Sequence, residues 1–180
     1  MMRGYNSGTI IDSISDDFLI TSGETTLIAG TPGAGKKLLS RSIVWNNQSC
    51  NISSTSLDYL ASAKYFTNDI YFLNIDVPYT RVKDVISIIE KIGSFGKTLI
   101  LTATVRIDFG HNFGQSMLDR FLSSTIYLSK EEKSAGYVAR HLKNRYGVKR
   151  SVDYYMGGLS QETFRIIDPQ SKKMDDLICR

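Results

Sequence analysis

Short apolar runs rich in β-branched residues alternate along the chain with segments of helical period. "TTLIAG" (Thr25 to Gly30) is a β-prone run that ends in glycine, and "KKLLSRSIVW" after it is helix-compatible. "NISSTS" (Asn51 to Ser56) predicts a weak strand, and "LDYLASAKYF" a short helix. "IYFLNID" (Ile70 to Asp76) predicts a strong strand that ends on an acid. Pro78 then breaks the chain, and "RVKDVISIIEKI" places Val82, Val85, Ile86, Ile89 and Ile92 on one helical face. "KTLILTATV" (Lys97 to Val105) lacks polar alternation, the mark of a strand covered on both faces. "SMLDRFL" predicts a short helix and "STIYLS" (Ser124 to Ser129) a strand. "GYVARHL", "SVDYYMG" and "TFRIID" alternate like an antiparallel extension. Strands interleaved with helices imply an α/β fold with a mostly parallel sheet, whose ligands bind at the C-terminal ends of the strands.

Composition narrows this only a little. The chain has 180 residues, of which 42% are hydrophobic and 22% charged, as expected of one globular domain. No apolar run approaches the ~18 residues of a membrane span, and "MMRGYNSGTIIDS" lacks a signal-peptide core, so neither membrane insertion nor secretion is expected. Cys50 and Cys179 are far apart and offer neither metal-ligand spacing nor a disulfide framework, which makes a reducing cytoplasm the expected compartment. A net charge of +4 is mild, and its distribution matters more.

The chemistry concentrates in "GTPGAGKK". Gly30, Thr31, Pro32, Gly33, Ala34, Gly35 and Lys36 fit G-x-x-x-x-G-K between a predicted strand and a predicted helix. In that context glycines let backbone N–H groups converge on phosphate oxygens. The helix N-terminus adds its positive end, and Lys36 reaches the terminal phosphates of ATP. The next position, where Ser or Thr normally supplies a hydroxyl to Mg²⁺, is Lys37. An ammonium offers no lone pair to a cation but can pair directly with phosphate oxygens. Nucleotide binding with weak or absent Mg²⁺ use and slow hydrolysis is therefore expected.

Several stretches resemble known families. "GTIIDSISDDFLITSGETTLIAGTPGAGKK" resembles the entry to the RecA-like domain of DnaB-type replicative helicases and of RadA. "TLILTATVR" resembles the DnaB strand that ends in a sensor, and "MLDRFLSSTIYLSKEE" the helix and strand that follow. "LKNRYGVKRSVDYYMGGLS" (Leu142 to Ser160) is similar to the K-x-R-N-G element of DnaB and the K-N-R-F-G element of RadA. The resemblance implies one RecA-like nucleotide-binding domain over residues 1–180, acting in DNA replication or recombination. It also implies self-association in a ring or filament, or association with a related helicase, and contact with single-stranded DNA. By position, Lys143 and Arg145 match the basic pair inserted into a neighbouring subunit's site, where positive charge stabilises the transferring phosphoryl group.

The same resemblance identifies departures. Asp76 is the candidate acid on the metal side, although an alternative alignment puts Thr102 in that place. Asp58 is the candidate catalytic acid, one methylene shorter than the expected glutamate, and the sensor glutamine position reads Ala103. Compared with DnaB, a primase-interacting N-terminal domain is not expected. Eroded catalytic positions admit a second function, that of a non-catalytic regulator that loads, caps or inhibits a helicase ring. Arg140, His141, Lys143, Arg145, Lys149 and Arg150 form the densest basic region, with Tyr146, Tyr154 and Tyr155 nearby. These residues suit either nucleic-acid contact or an ordinary exposed turn and core. Arg106, Asp108 and His111 fall in a glycine-flanked segment after a strand, where the resembled families place DNA-facing loops.

Overall fold

The computed structural model describes residues 3–47, 51–75, 82–104, 117–130 and 136–156. A short ribbon, β1 (Gly4–Tyr5) with β2 (Ile20–Thr21), encloses a 3₁₀ turn, Ile10–Ile14. β3 (Thr25–Gly30) leads to α1 (Lys36–Asn46), β4 (Ile52–Thr55) to α2 (Leu57–Ser62), and β5 (Ile70–Asn74) precedes α3 (Val82–Ser94). β6 (Thr98–Thr104), β7 (Ser124–Lys130), β8 (Tyr137–Asn144) and β9 (Ser151–Tyr154) complete the described elements. Residues 117–119 are helical, as predicted, whereas "TFRIID" lies outside the described residues.

The main sheet has the order β4-β5-β6-β3-β7-β8-β9. The first five strands run parallel, and β8 and β9 join antiparallel. The fold is therefore the predicted one, an α/β architecture with a mostly parallel sheet and an antiparallel C-terminal extension. β3 lies between β6 and β7, and the strands on its two sides enter the sheet from opposite directions along the chain. The reversal opens a crevice at the C-terminal end of β3, where α/β sheets bind ligands.

The pleat sorts each strand between two apolar layers. Leu27 and Ala29, Tyr71 and Leu73, and Leu99 and Leu101 pack with α2 and α3. Ile28, Ile70, Phe72, Ile100 and Ile126 pack with α1 and the 3₁₀ turn through Leu39, Ile43, Ile11 and Ile14. This double coverage is why the strands read as continuous apolar runs. α3 buries Val85, Ile88, Ile89 and Ile92, while Val82 and Ile86 are partly buried, so its face is rotated toward Ile88 from the predicted one. The helix expected over "LDYLASAKYF" stops at Ser62. Ala63 is extended (φ −60°, ψ 133°), and Phe66 turns into the core edge-on to Tyr71.

β8 supplies a buried histidine. The Nδ1 of His141 lies 3.1 Å from the Ile14 carbonyl, which can only accept, so Nδ1 carries the hydrogen. Nε2 then accepts from the Ser124 hydroxyl at 3.2 Å. His141 is thereby removed from the exposed basic region in which the sequence placed it. Burial lowers its pKa below the ordinary 6.5, opposed by the bond to Ile14. The unfolded chain takes up a proton near 6.5 and the folded chain only at lower pH. Stability should thus be steady above that value and fall as the pH drops toward the folded-state pKa. The slope is bounded by one proton, about 1.4 kcal/mol per pH unit. Asp12 acts in the opposite sense and in the carboxylate range, because burial raises its pKa against three hydrogen bonds from Ser7 and Gly8. Denaturant melts at several pH values should show the decline in wild type and a flatter profile in His141→Gln.

Candidate functional site

The loop begins where β3 meets β7. A Cβ on Gly30 would lie 2.2 Å from the Leu128 carbonyl oxygen, so no other residue fits without moving β7. The N–H of Thr31 donates to that oxygen at 3.1 Å and turns the chain out of the sheet. Gly33 (φ 76°) and Gly35 (φ 83°) occupy the left-handed region that glycine enters without strain. Ala34 closes the turn by donating to the Thr31 carbonyl at 3.2 Å.

Helix α1 starts immediately afterwards, and its N-terminus lacks both usual forms of compensation. Its N-cap, Gly35, makes no side-chain cap bond, and the first turn holds no acidic residue. The unsatisfied N–H groups and the positive end of the helix dipole are instead followed by Lys36 and Lys37. Lys36 folds back, its Nζ donating to the Gly30 carbonyl at 3.0 Å and the Thr31 carbonyl at 2.9 Å. The Thr31 hydroxyl is buried without a hydrogen-bond partner. A turn of this kind, with an uncapped helix start, an orphaned hydroxyl and two cations, suits an anionic phosphate chain.

Two cavities open here. One, of about 420 Å³, is lined by Pro32, Gly33 and the Gly35 to Leu38 stretch together with Asn74, Thr102, Thr104 and Met156. The other, of about 340 Å³, shares Lys37, Asn74 and Thr102 with it and continues between α1 and the ends of β4 and β5. The described residues around both are neutral or cationic. No carboxylate is among these described residues, so from them a magnesium ion would find only hydroxyl and amide oxygens.

The other residues singled out in the sequence are dispersed. Asp76 lies outside the described residues, as do Arg106, Asp108 and His111. Asp58 sits in the first turn of α2, which is capped by Ser56, and does not line either cavity. Thr102, on β6, does line them. Ala103 faces the opposite layer. Lys143 and Asn144 pair with Thr125 and Ser124 at the start of β7, whereas Gly30 pairs with Leu128 near its end. At ~3.3 Å per residue the K-N-R-Y-G turn is more than ten ångströms from this chain's own loop. Lys143 donates to the Asp119 carbonyl, Arg145 lies 3.6 Å from Glu24, and Arg150 is 2.6 Å from Asp16. The Tyr146 hydroxyl also donates to Glu24, at 2.7 Å. Most of the basic region is therefore partnered within the chain.

Tyr154 is the contributor that the sequence did not reveal. From β9 its hydroxyl donates to the Ala34 carbonyl at 2.6 Å, and its ring stacks on Tyr137. Burial, reinforced by Tyr137, pushes its pKa far above the ordinary tyrosine value, so it remains a donor. Alternation in "SVDYY" does place Tyr154 inward and leaves Asp153 and Tyr155 exposed. Nothing local identifies Ala34 as its acceptor.

No family model and no curated protein matches the chain. Among solved structures it is similar to a KaiC-like protein of the hyperthermophilic archaeon Pyrococcus horikoshii, with 13% identity and a TM-score of 0.70, covering 89% of this chain and 98% of that one. It is also similar to the flagellar accessory protein FlaH of Methanocaldococcus jannaschii, with 10% identity and a TM-score of 0.59, covering 75% and 86%. At these identities the likeness is one of fold, an α/β architecture of the RecA-like type. No helix among the described residues is long and apolar enough to cross a membrane.

Tyr154→Phe tests the anchor. It keeps the ring and removes one buried hydrogen bond, at a cost of about 1 kcal/mol. The midpoint of urea unfolding should fall accordingly, and phosphate-ligand affinity should fall with it.

Proposed function

We propose that the chain binds ATP, or a related nucleotide, through the loop from Gly30 to Lys36, and hydrolyses it weakly. The observation that carries this reading is the acid-free, uncapped start of α1 behind a glycine turn, with Lys36 and Lys37 at its mouth. Lys36 would exchange its two carbonyl acceptors for phosphate oxygens, gaining charge-assisted bonds. Lys37 would neutralise phosphate charge directly where a hydroxyl would otherwise hold Mg²⁺. Asp76 is the acid proposed for the metal side and Asp58 for catalysis.

The finer role rests on the resemblance to DnaB and RadA. We assign the protein to DNA replication or recombination, as a helicase-like or DNA-remodelling ATPase that associates with its own copies. Lys143 and Arg145 are remote from their own loop, which suits action on a neighbour's nucleotide. A second reading, the non-catalytic regulator of a helicase ring, is favoured by a cavity lining without acids among the described residues and by the internal pairing of Arg145 and Arg150. DNA-stimulated phosphate release separates the two, since only the motor reading expects it.

Two experiments test these assignments. Lys36→Ala should clearly weaken binding of an ATP analogue in calorimetry, and equal affinity in both proteins, or binding by neither, would overturn the phosphate-loop reading. In the same assay Lys37→Thr should make affinity more dependent on Mg²⁺. It should raise turnover only if Asp58 and Asp76 serve as acids, and brisk Mg²⁺-dependent hydrolysis by the unmodified protein would contradict the role of Lys37.

Assembly provides the other test. Arg145→Ala should loosen nucleotide-dependent oligomers, measured by light scattering, and leave the monomer folded, because an exposed pair with Glu24 contributes little stability. A protein that stays monomeric with every nucleotide and with single-stranded DNA would refute the trans role.

A further inference from the structure

The second cavity has a feature that the loop does not explain. Lys37 and Arg41 stand four residues apart on α1, hence on one face, and both line it. Helical side chains slant toward the N-terminus, so the long Arg41 side chain leans back toward Lys37 and the loop. Like charges at this spacing repel. Several other cations find oxygen partners: Lys97 pairs with Asp69, Arg145 with Glu24 and Arg150 with Asp16, while Lys91 donates to the Ala61 carbonyl. Among the described residues Lys37 and Arg41 have no such partner. The floor opposite them, Ser54, Asn74 and Thr102, is polar and uncharged.

The pleat explains why these floor residues converge. Ser54 pairs with Phe72, and Asn74 pairs with Thr102, which pairs with Ile28. All lie on the face of the sheet that α1 covers, where Ile28 and Phe72 pack. Two cations, with no carboxylate lining the cavity among the described residues, thus face hydrogen-bonding side chains across a space that opens into the loop cavity.

We propose that this cavity holds the terminal phosphate of a triphosphate chain, bound without metal by Lys37 and Arg41. The inference rests on the phosphate-loop reading and adds to it a subsite for the third phosphate. The site would discriminate by phosphate number, taking three phosphates in preference to two, with Arg41 as the discriminating residue. The two cations would supply the charge neutralisation that a divalent ion gives elsewhere, and with fork geometry from the guanidinium.

The test is calorimetry of the full chain in EDTA, with ATP, ADP, inorganic tripolyphosphate and pyrophosphate as titrants. Wild type should bind ATP about tenfold or more tightly than ADP, a gain in the range of one charge-assisted contact. Arg41→Ala should abolish that preference by weakening ATP and leaving ADP unchanged, and Arg41→Lys should restore part of it. Arg41 is exposed, so the variant should fold, as its circular dichroism and melting temperature would verify. Tripolyphosphate that outcompetes pyrophosphate supports a site for the bare chain, and ATP selectivity without it supports a nucleotide. If ADP binds and Arg41→Ala leaves the ATP to ADP ratio intact, this inference fails while the phosphate loop stands. If neither nucleotide binds wild type, both fall.

Discussion

The contact between Gly30 and the Leu128 carbonyl fixes the geometry on which the rest of the site depends. A strand flanked on both sides can end in a loop only where its backbone is released, and here release comes one residue beyond the closest approach to β7. The turn that follows must reverse into α1 within a few residues, and the left-handed glycines permit this. Placement of the helix N-terminus, of Lys36 and of the cavity mouth follows from that one contact. The apolar layers hold β3 and β7 in register, so the core sets the position of the loop, whose own Ala34 is buried in it.

Local features were legible in the sequence. The parallel strands betrayed their double coverage through unbroken apolar runs, and strand, glycine turn and helix follow one another within residues 25–46. Errors arose where distant contacts overrode local pattern. The α2 segment continues in helical composition, but Phe66 makes edge-on contacts with Tyr71 and Phe95, and the backbone leaves the helix to allow them. α3 turned toward Ile88 because it packs on α2 as well as the sheet.

The site was only partly legible, for a related reason. Tyr154 and Ala34 are 120 positions apart, and His141 and Ile14 are 127 apart. Basic residues that look like one surface cluster in the sequence separate once β8 folds against β7. His141 enters the core, Arg145 turns to Glu24, and Arg150 turns to Asp16. Charge density along a chain reports composition, whereas availability depends on which acids the fold brings near. Arg41 illustrates the converse, since a cation inconspicuous in the sequence joins Lys37 opposite neutral side chains once the chain folds.

The antiparallel extension gives β3 a support that the parallel core alone does not provide. The turn after β8 touches the start of β3, where Arg145 and Tyr146 meet Glu24, and β9 reaches the loop beyond its end, where Tyr154 holds Ala34. One hairpin thus spans the length of the loop-bearing strand. β8 itself carries an irregularity, with Leu142 unpaired between His141 and Lys143, which face neighbouring residues of β7. Such a bulge bends a strand and re-aims its side chains, and here it lets His141 stay buried while the turn reaches back toward Glu24. The extension contributes no residue to the glycine loop, yet it fixes the loop from one end and the base of its strand from the other. Its sequence therefore answers to the demands of the glycine loop as well as to those of its own turn.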